Sequence, residues 1–214
     1  MGDILRPGSK ELIFGAGGSR VFLEGIETKR GLVDIRTFDE ERDSVAALAH
    51  ITRLAWSSHE GESTEGLGFK QSQQSEQRTR ERMAHAVIFL ADLDQETVGL
   101  CAYYPPKVIS GAGPETPPLA TQFPQVGTAE WGFMAIDPSA QGAGIPYHFH
   151  AAVETLAIED GVEQIVGRVR RDTEGVHRLY AGMGFEDVGE FQPEGQPYTL
   201  VLLSKDMTGQ SSVL

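Results

Sequence analysis

The chain has 214 residues, of which 40% are hydrophobic and 23% are charged, a balance typical of a globular protein with one domain. Its formal net charge of −13 argues against general nucleic-acid binding, because an acidic surface repels phosphate backbones. The single cysteine, Cys101, excludes an internal disulfide and a cysteine-rich metal site, and it suits a reducing compartment.

The hydrophobic runs are short. Val87–Ala91 and Leu200–Leu203 are among the longest, and they fall far below the roughly 20 apolar residues that a membrane-spanning helix needs. The N-terminal segment has no charged-then-apolar signal pattern, and Arg6 stands where a myristoylation motif requires serine or threonine. We therefore expect a cytoplasmic protein that does not bind membranes.

The first 30 residues differ in charge from the rest, since five of them are basic and four are acidic. We interpret residues 1–30 as an N-terminal extension, residues 31–207 as the single domain and residues 208–214 as a frayed tail. The glycine-rich segment Gly15–Arg20 fits a flexible turn or a phosphate loop, and the turn is favoured because no helical pattern follows it.

The pattern becomes regular from Leu32. Residues 32–38 predict a first strand, and Asp39 or Asp43 can cap the helix that follows. The apolar face of that helix has helical spacing and comprises Val45, Leu48, Ala49, Thr52, Ala55 and Trp56. A polar stretch comes next, of which residues 76–86 are interpreted as helical, and two strands are then predicted at Val87–Ala91 and Val98–Tyr104.

A proline-rich segment interrupts the chain at this point. Six of the eleven prolines lie between Pro105 and Pro124, and such a segment cannot continue a helix or an interior strand. A loop of this length is either functional or disordered, and we favour a lid or a partner surface at residues 105–127.

The second half alternates strands and helices, which predicts an α/β fold with a mixed sheet. The predicted elements, in chain order, are the strand Ala129–Ile136, a helix from Pro146 to the stop at Gly161, the strand Gln164–Arg170, the helix Glu174–Met183, and the strands Asp187–Phe191 and Tyr198–Ser204. The helix after Pro146 carries a continuous apolar stripe that includes Phe149 and Val153.

The segment Ile136–Pro146 is the most informative part of the sequence. A strand enters a glycine-containing turn that opens a helix, and this arrangement directs backbone N–H groups and the positive helix end at one point. A phosphate anion suits such a point, and the absent glycine Cβ atoms allow a close approach. The turn is neither a Walker loop nor a dinucleotide fingerprint.

The segment resembles the acetyl-CoA loop of the GCN5-related N-acetyltransferase (GNAT) superfamily, whose pattern is Gln/Arg-x-x-Gly-x-Gly/Ala. Gln141 and Gly144 match that pattern, and Pro146 departs from it. The superfamily's next motif also follows at the expected distance, because residues 179–185 read Leu-Tyr-x-x-x-Gly-Phe, with Thr173 in place of the usual asparagine.

The resemblance implies a twisted sheet in which the fourth and fifth predicted strands splay apart, with acetyl-CoA bound at the gap. The amides of pantetheine would bond to the backbone of Met134, Ala135 and Ile136. The residues expected around the pyrophosphate are Gln141, Gly142, Ala143, Gly144, Ile145 and Pro146. Thr173 either contacts the cofactor or caps the following helix, and the cap is favoured.

The same resemblance implies the catalytic roles. Tyr180 takes the position of the general acid that protonates the departing thiolate, since a phenol with an ordinary pKa near ~10 is protonated at neutral pH. Glu130, on the strand before the gap, is the candidate base and would act through water. The N–H group of Met134 would polarise the thioester carbonyl.

These residues predict an acetyl-CoA-dependent N-acetyltransferase that acts on the primary amine of a small molecule. Glu60, Glu62 and Glu65 would attract a cationic amine, although such residues also form ordinary solvated surfaces. One alternative is a CoA-binding sensor or partner-binding module without acyl transfer, and another is transfer to a protein lysine or N-terminus. His148 and His150 do not share a helix face, so no metal is expected. A homodimer is left open.

Overall fold

A computed structural model describes residues 19–57, 74–106, 127–193 and 195–209 of the chain. Several features predicted from the sequence lie outside these ranges: most of the glycine-rich segment, Glu60, Glu62, Glu65, residues 107–126 of the proline-rich segment, and the end of the tail.

The described residues contain eight strands and four α-helices. The strands are β1 (Val21–Thr28), β2 (Gly31–Thr37), β3 (Val87–Leu93), β4 (Glu96–Tyr104), β5 (Thr128–Ile136), β6 (Gln164–Arg170), β7 (Glu186–Phe191) and β8 (Leu200–Asp206). The helices are α1 (Val45–Ser57), α2 (Glu76–Met83), α3 (Ile145–Glu159) and α4 (Glu174–Gly182). The mixed α/β architecture is therefore confirmed, and the predicted elements within the described ranges lie at their expected places.

All eight strands belong to one sheet in the order β1-β2-β3-β4-β5-β6-β8-β7. Neighbouring strands are antiparallel except β5 and β6, which run parallel and are joined by the crossover that contains α3. The hairpin between β3 and β4 turns at Asp94 and Gln95, both of which have positive φ angles (49° and 73°), as a tight two-residue turn requires.

Helices cover both faces of the sheet, and the alternation along each strand decides which face a side chain joins. On one face, Phe89 and Cys101 pack with residues of α3 and α4. On the other face, Leu90 and Leu100 pack with residues of α1. The parallel pair β5 and β6 lies between these two layers, so groups at that pair can be reached from both helical layers.

Strand β1 comes from the segment that the sequence set apart as an extension. It pairs with β2 from Val21 to Thr28 and so places these residues in the sheet. Its pairing is irregular, with register shifts on both sides of Leu23, and its eight residues are all half-buried or exposed without regular alternation. This irregularity explains why the strand has no clear period-two pattern in the sequence.

Candidate active site

The predicted splaying of the two central strands is present. β5 and β6 pair only at Thr128–Gln164, Ala129–Ile165 and Glu130–Val166. Beyond these pairs β5 continues along β4 as far as Ile136, and β6 continues along β8 as far as Arg170. The two strands therefore separate after Glu130 and Val166, and we call the wedge beyond this point the strand split.

The edge of β5 at the strand split contains a bulge. Leu100 of β4 pairs with Ala135 and Ala102 pairs with Gly132, so β5 has one more residue than β4 over this span. Phe133, within the extra span, has a φ angle of 49°, which a bulky residue adopts only at some conformational cost. A bulge leaves a residue without a ladder partner, and here it lies beside Met134, the predicted donor to the thioester carbonyl.

Hydrogen bonds and buried side chains fix the backbone of the turn between β5 and α3. Asp137 accepts hydrogen bonds from the backbone N–H (2.8 Å) and the hydroxyl (2.6 Å) of Ser139, which starts a single 3₁₀ turn. Ala140, Ala143 and Ile145 are buried in the core. We call residues 137–145 the anion loop, and its buried alanines fix the backbone from which the remaining groups point outward.

Part of the anion loop can receive a ligand. Within the described residues, the N–H groups of Gly142, Gly144 and Ile145 donate no hydrogen bond, whereas those of Gln141 and Ala143 bond to loop carbonyls at 3.3 Å. Gly142 and Gly144 have φ angles of 85° and 76°, and a Cβ atom at Gly142 would meet nothing within 4 Å. The loop is therefore open on its outer side, and three of the five predicted N–H donors are unengaged.

A cation that the sequence analysis did not single out lies beside this loop. Arg30, in the turn between β1 and β2, donates from Nη1 to the carbonyl of Ser139 at 3.2 Å. The chain is strongly acidic overall, but the guanidinium of Arg30 places a positive charge beside the loop. The contact joins elements 109 residues apart, so the sequence alone gives no signal for it.

Tyr180 lies at the apex of the strand split. A Cβ atom at Gly167 would stand 3.4 Å from the Tyr180 ring and 3.3 Å from the carbonyl of Trp131. Gly167 and Trp131 are the first residues of β6 and β5 beyond the last ladder pair. The ring is 4% exposed and packs on Trp131 and Phe185 at centroid distances of 5.0 and 5.1 Å. Burial raises the pKa of the Tyr180 phenol, which keeps it protonated.

The helix that carries Tyr180 is anchored to the sheet by a lysine. Lys205 of β8 donates to the carbonyl of Met183 at 2.6 Å, just after α4, and it pairs with Glu154 of α3 at 2.5 Å. Its third contact is the His150 ring at 3.2 Å, and burial lowers the pKa of His150 to about 4, so the imidazole is neutral and accepts. This arrangement ties α3, α4 and β8 together behind Tyr180.

Glu130 lies on the opposite face of the sheet from Tyr180, next to an arginine. Its Oε1 accepts from Arg168 Nη2 at 2.5 Å and from Nε at 3.2 Å, and the carboxyl is almost fully buried. Burial raises the pKa of Glu130, and the guanidinium offsets part of that rise. Tyr104 is on the same face, and burial together with the Glu130 charge raises its pKa to about 12.

Thr173 lies at the start of α4, shortly after the arginines that end β6. Thr173 occupies the N-cap position of α4, but its hydroxyl donates to the carbonyl of Arg170 at 2.6 Å instead of accepting from the helix. Thr173 is therefore the N-cap residue, as the favoured interpretation predicts, but its side chain does not make the capping bond. Arg170 and Arg171 form ion pairs with Asp172 and Glu190.

A cavity of about 920 Å³ lies elsewhere, where the start of α1 faces α2. None of the predicted site residues lines it, and Glu40, Asp43, Glu76 and Arg80 are among the residues that do. Within the described part of the chain, no group of three or more histidine, cysteine, aspartate or glutamate residues could hold a metal ion. None of the helices described is both long and apolar enough to reach across a bilayer.

Comparison with known proteins agrees with this geometry. The sequence model of the Acetyltransferase (GNAT) family matches residues 47–185, which include most of α1, the anion loop and Tyr180. No curated protein matched the chain.

Solved structures share the fold at low sequence identity. The ribosomal-protein-S18-alanine N-acetyltransferase from Escherichia coli is 13% identical with a TM-score of 0.59, and the match covers 86% of this chain and 99% of that one. A ribosomal L7/L12 alpha-N-protein acetyltransferase in complex with coenzyme A is 17% identical with a TM-score of 0.58, covering 86% and 98%. A GNAT family acetyltransferase from Elizabethkingia anophelis with acetyl-CoA bound is 14% identical with a TM-score of 0.55, covering 81% and 97%.

Proposed function

The chain belongs to the GNAT acetyltransferase family, and from this premise we propose that it transfers the acetyl group of acetyl-CoA to the primary amine of a small molecule. The observation that carries the proposal is the position of Tyr180, whose ring lies where β5 and β6 part, beside the open edge of β5. The acidic surface suits a cationic amine, and the single buried cysteine suits the cytoplasm.

Binding of the thioester would use backbone groups of this chain. The unengaged N–H groups of Gly142, Gly144 and Ile145 can bond the pyrophosphate, with Arg30 as a neighbouring cation. The unpaired edge of β5 from Met134 to Ile136 can take the amides of pantetheine as an added strand would. An acyl group held in this way is directed toward the apex of the strand split.

The chemistry requires two proton movements. The neutral amine attacks the thioester carbonyl, so that a C–N bond forms as the C–S bond breaks. The amine gives up its proton to Glu130, directly or through water, and Tyr180 supplies a proton to the departing thiolate. The two groups lie on opposite faces of the sheet, which suits an acid and a base that act on opposite sides of the acyl carbon.

Two measurements test the proposal. Isothermal titration of the chain with acetyl-CoA should show saturable binding, and a thiol-release assay over a panel of primary amines should show turnover. Absence of binding at millimolar acetyl-CoA would contradict the proposal, because the acyl donor must bind before transfer. Transfer to peptides carrying lysine or a free N-terminus, in preference to every small amine, would contradict its choice of acceptor.

The second candidate is a protein that binds CoA without transferring the acyl group. Two departures from the family pattern favour it, because Pro146 lacks an N–H group and the Thr173 hydroxyl is engaged by its own backbone. Binding of acetyl-CoA without thiol release for any amine or peptide would support this candidate.

We expect Gly144→Ala to weaken CoA binding roughly tenfold, because a left-handed conformation costs an alanine about 1–2 kcal/mol and its relief rotates the loop N–H groups. Gly144 is the N-cap of α3 with a φ angle of 76°. Isothermal titration measures the change. Gly175→Ala, at an unobstructed position within α4, is the matched control and should bind CoA normally. Equal CoA affinity of the two variants would show that the anion loop does not contribute to CoA binding.

We expect Glu130→Gln to lower kcat/KM about tenfold and to alter its pH dependence. A base must be deprotonated to act, so the activity of the intact enzyme should rise as the pH rises through the Glu130 pKa. Burial places that pKa above the ordinary carboxyl value of ~4.3, and Arg168 and Tyr104 are the charged and titratable neighbours. The variant should lack this rise.

The ratio of the two pH profiles, measured with one acceptor, isolates the Glu130 contribution because the titration of the amine is common to both enzymes. Glu186→Gln, on the exposed strand β7, serves as the matched control. A constant ratio from pH 5 to pH 9 would show that Glu130 is not the base.

A further inference from the structure

The Glu130–Arg168 pair has two polar atoms without partners. The side chains are 4% and 7% exposed, and all their mutual hydrogen bonds go to one carboxylate oxygen, Oε1. Glu130 Oε2 and Arg168 Nη1 are buried and have no hydrogen-bond partner among the described residues. Buried polar groups are normally satisfied, so these two atoms require an explanation.

The two atoms are complementary in character. Oε2 of a carboxylate accepts hydrogen bonds only, and Nη1 of a guanidinium donates only. A molecule that satisfies both must present a donor beside an acceptor. A neutral pair of this kind also suits a ligand without net charge, since an added cation or anion alone would leave one of the two atoms unsatisfied.

The pair is placed to meet the acceptor substrate. Glu130 is the last β5 residue paired to β6, and its ladder partner is Val166. Arg168 lies two residues beyond Val166 on β6. A Cβ atom at Gly132, the next residue of β5 on the same face, would meet only Glu130 Oε1, at 3.7 Å, so the backbone there is open beside the carboxylate. Tyr180 approaches the same apex from the other face.

We propose that the acceptor is an α-amino acid with a free carboxylate, whose amine is received by Glu130 Oε2 and whose carboxylate is bound by Arg168 Nη1. This inference rests on the proposed acetyl transfer and names its substrate class. The acceptor binds as the zwitterion, and its ammonium first loses one proton to solvent. The neutral amine then attacks the thioester carbonyl, its nitrogen gives a proton to Glu130 as the amide bond forms, the C–S bond breaks, and the thiolate takes the proton of Tyr180. The product is an N-acetyl amino acid whose carboxylate remains on Arg168.

The competing occupant is a bridging water, which would also satisfy both atoms. A peptide N-terminus is a different case, because it presents an amide carbonyl where a free amino acid presents a carboxylate. Substrates that differ only at this group therefore distinguish the three possibilities.

The test compares matched acceptors with the intact chain: phenylalanine, phenylalaninamide and phenethylamine, and the corresponding sets from alanine and methionine. We expect kcat/KM for the amino acid of at least one set to exceed that of its amide and its amine roughly tenfold or more, because a charge-assisted bond to Arg168 is lost with the carboxylate. Equal use of all three members in every set would overturn the inference and indicate water. Preference for the amides would indicate a peptide and would also overturn it.

Arg168 variants then assign the preference to this side chain. Arg168→Met should reduce the amino-acid-to-amine ratio of kcat/KM roughly tenfold, mainly through KM for the amino acid. Arg168→Lys keeps the positive charge beside Glu130 and so controls for a folding defect. It should retain part of the preference through that charge and lose the rest because lysine lacks the planar guanidinium. Arg171→Met is the matched control, at an exposed arginine just beyond the same strand, and should keep the ratio.

An unchanged ratio in Arg168→Met would overturn the inference even if its overall rate falls. This failure is distinct from failure of the proposed function, for which no acceptor would release thiol at all. Turnover of amines without carboxylate preference would leave acetyl transfer intact and remove only the amino-acid assignment.

Discussion

Tyr180→Phe is expected to lower kcat about 100-fold, because general acid catalysis contributes roughly 10²–10⁴ and water can replace only part of it. The effect should fall on kcat and leave CoA affinity unchanged, since the phenol acts on the thiolate only as it departs. Burial raises the pKa of Tyr180, so the loss should persist across the neutral pH range without an alkaline limb of its own. Single-turnover thiol release measures the chemical step directly.

The substitution is structurally mild. A phenylalanine keeps the ring that packs on Trp131 and Phe185, so the free energy of unfolding should change by less than about 1 kcal/mol. Tyr147→Phe is the matched control. Tyr147 is half exposed on α3, and its hydroxyl lies beside Gly182, the last residue of the helix that carries Tyr180. If both variants transfer acetyl at the rate of the unaltered chain, Tyr180 is not the acid.

Much of the fold follows from local patterns. The strand β6 has the predicted bounds, Gln164–Arg170, and α3 runs from Ile145 to Glu159, so that Pro146 lies in its first turn and Gly161 follows two residues after its end. The helix can be recognised because one of its faces is buried, which imposes a period of 3.6 on its apolar residues, whereas β6 has buried residues on both faces and is recognised as a short apolar run. The motif around Tyr180 can also be recognised from the sequence. Its glycine, Gly184, has a φ angle of 86°, and this left-handed conformation favours glycine at that position.

The features that the sequence did not reveal depend on register between distant segments. The sequence identifies Glu130 as a candidate base, but its bond to Arg168 spans 38 residues and depends on three parallel ladder pairs. The sequence places Arg168 with Arg170 and Arg171 at the end of one strand, where a phosphate contact and a solvated strand end are equally consistent with it. In the structure Arg168 is buried against Glu130, whereas Arg170 and Arg171 pair with Asp172 and Glu190. Alternation places Arg168 on one face of β6, yet only the pairing of β6 with β5 brings it to the carboxylate.

The second large effect concerns a buried ion network far from the strand split. Arg36 of β2, 3% exposed, donates to Asp92 of β3 at 2.7 Å and to both oxygens of Asp43 at 2.6 and 2.8 Å. Asp43 also accepts from the N–H of Asp39, which positions the segment before α1. The network therefore joins two strands to the start of the helix that covers the Glu130 face.

Arg36→Met is expected to lower the free energy of unfolding by about 3–5 kcal/mol, because it removes the guanidinium that contacts the carboxylate of Asp43 and leaves the buried Asp92 paired, among the described residues, with only the exposed Arg42, at 3.4 Å. Urea titration followed by circular dichroism measures the loss. Arg178→Met is the matched control: its ion pair with Glu174 is exposed, at 76% and 87% for the two side chains, and its loss should cost less than about 0.5 kcal/mol. Adding Asp43→Asn to Arg36→Met should recover part of the stability, since it removes the buried charge that pairs with Arg36. A loss near that of the control would mean that water replaces the guanidinium, and the network would then not fix the start of α1.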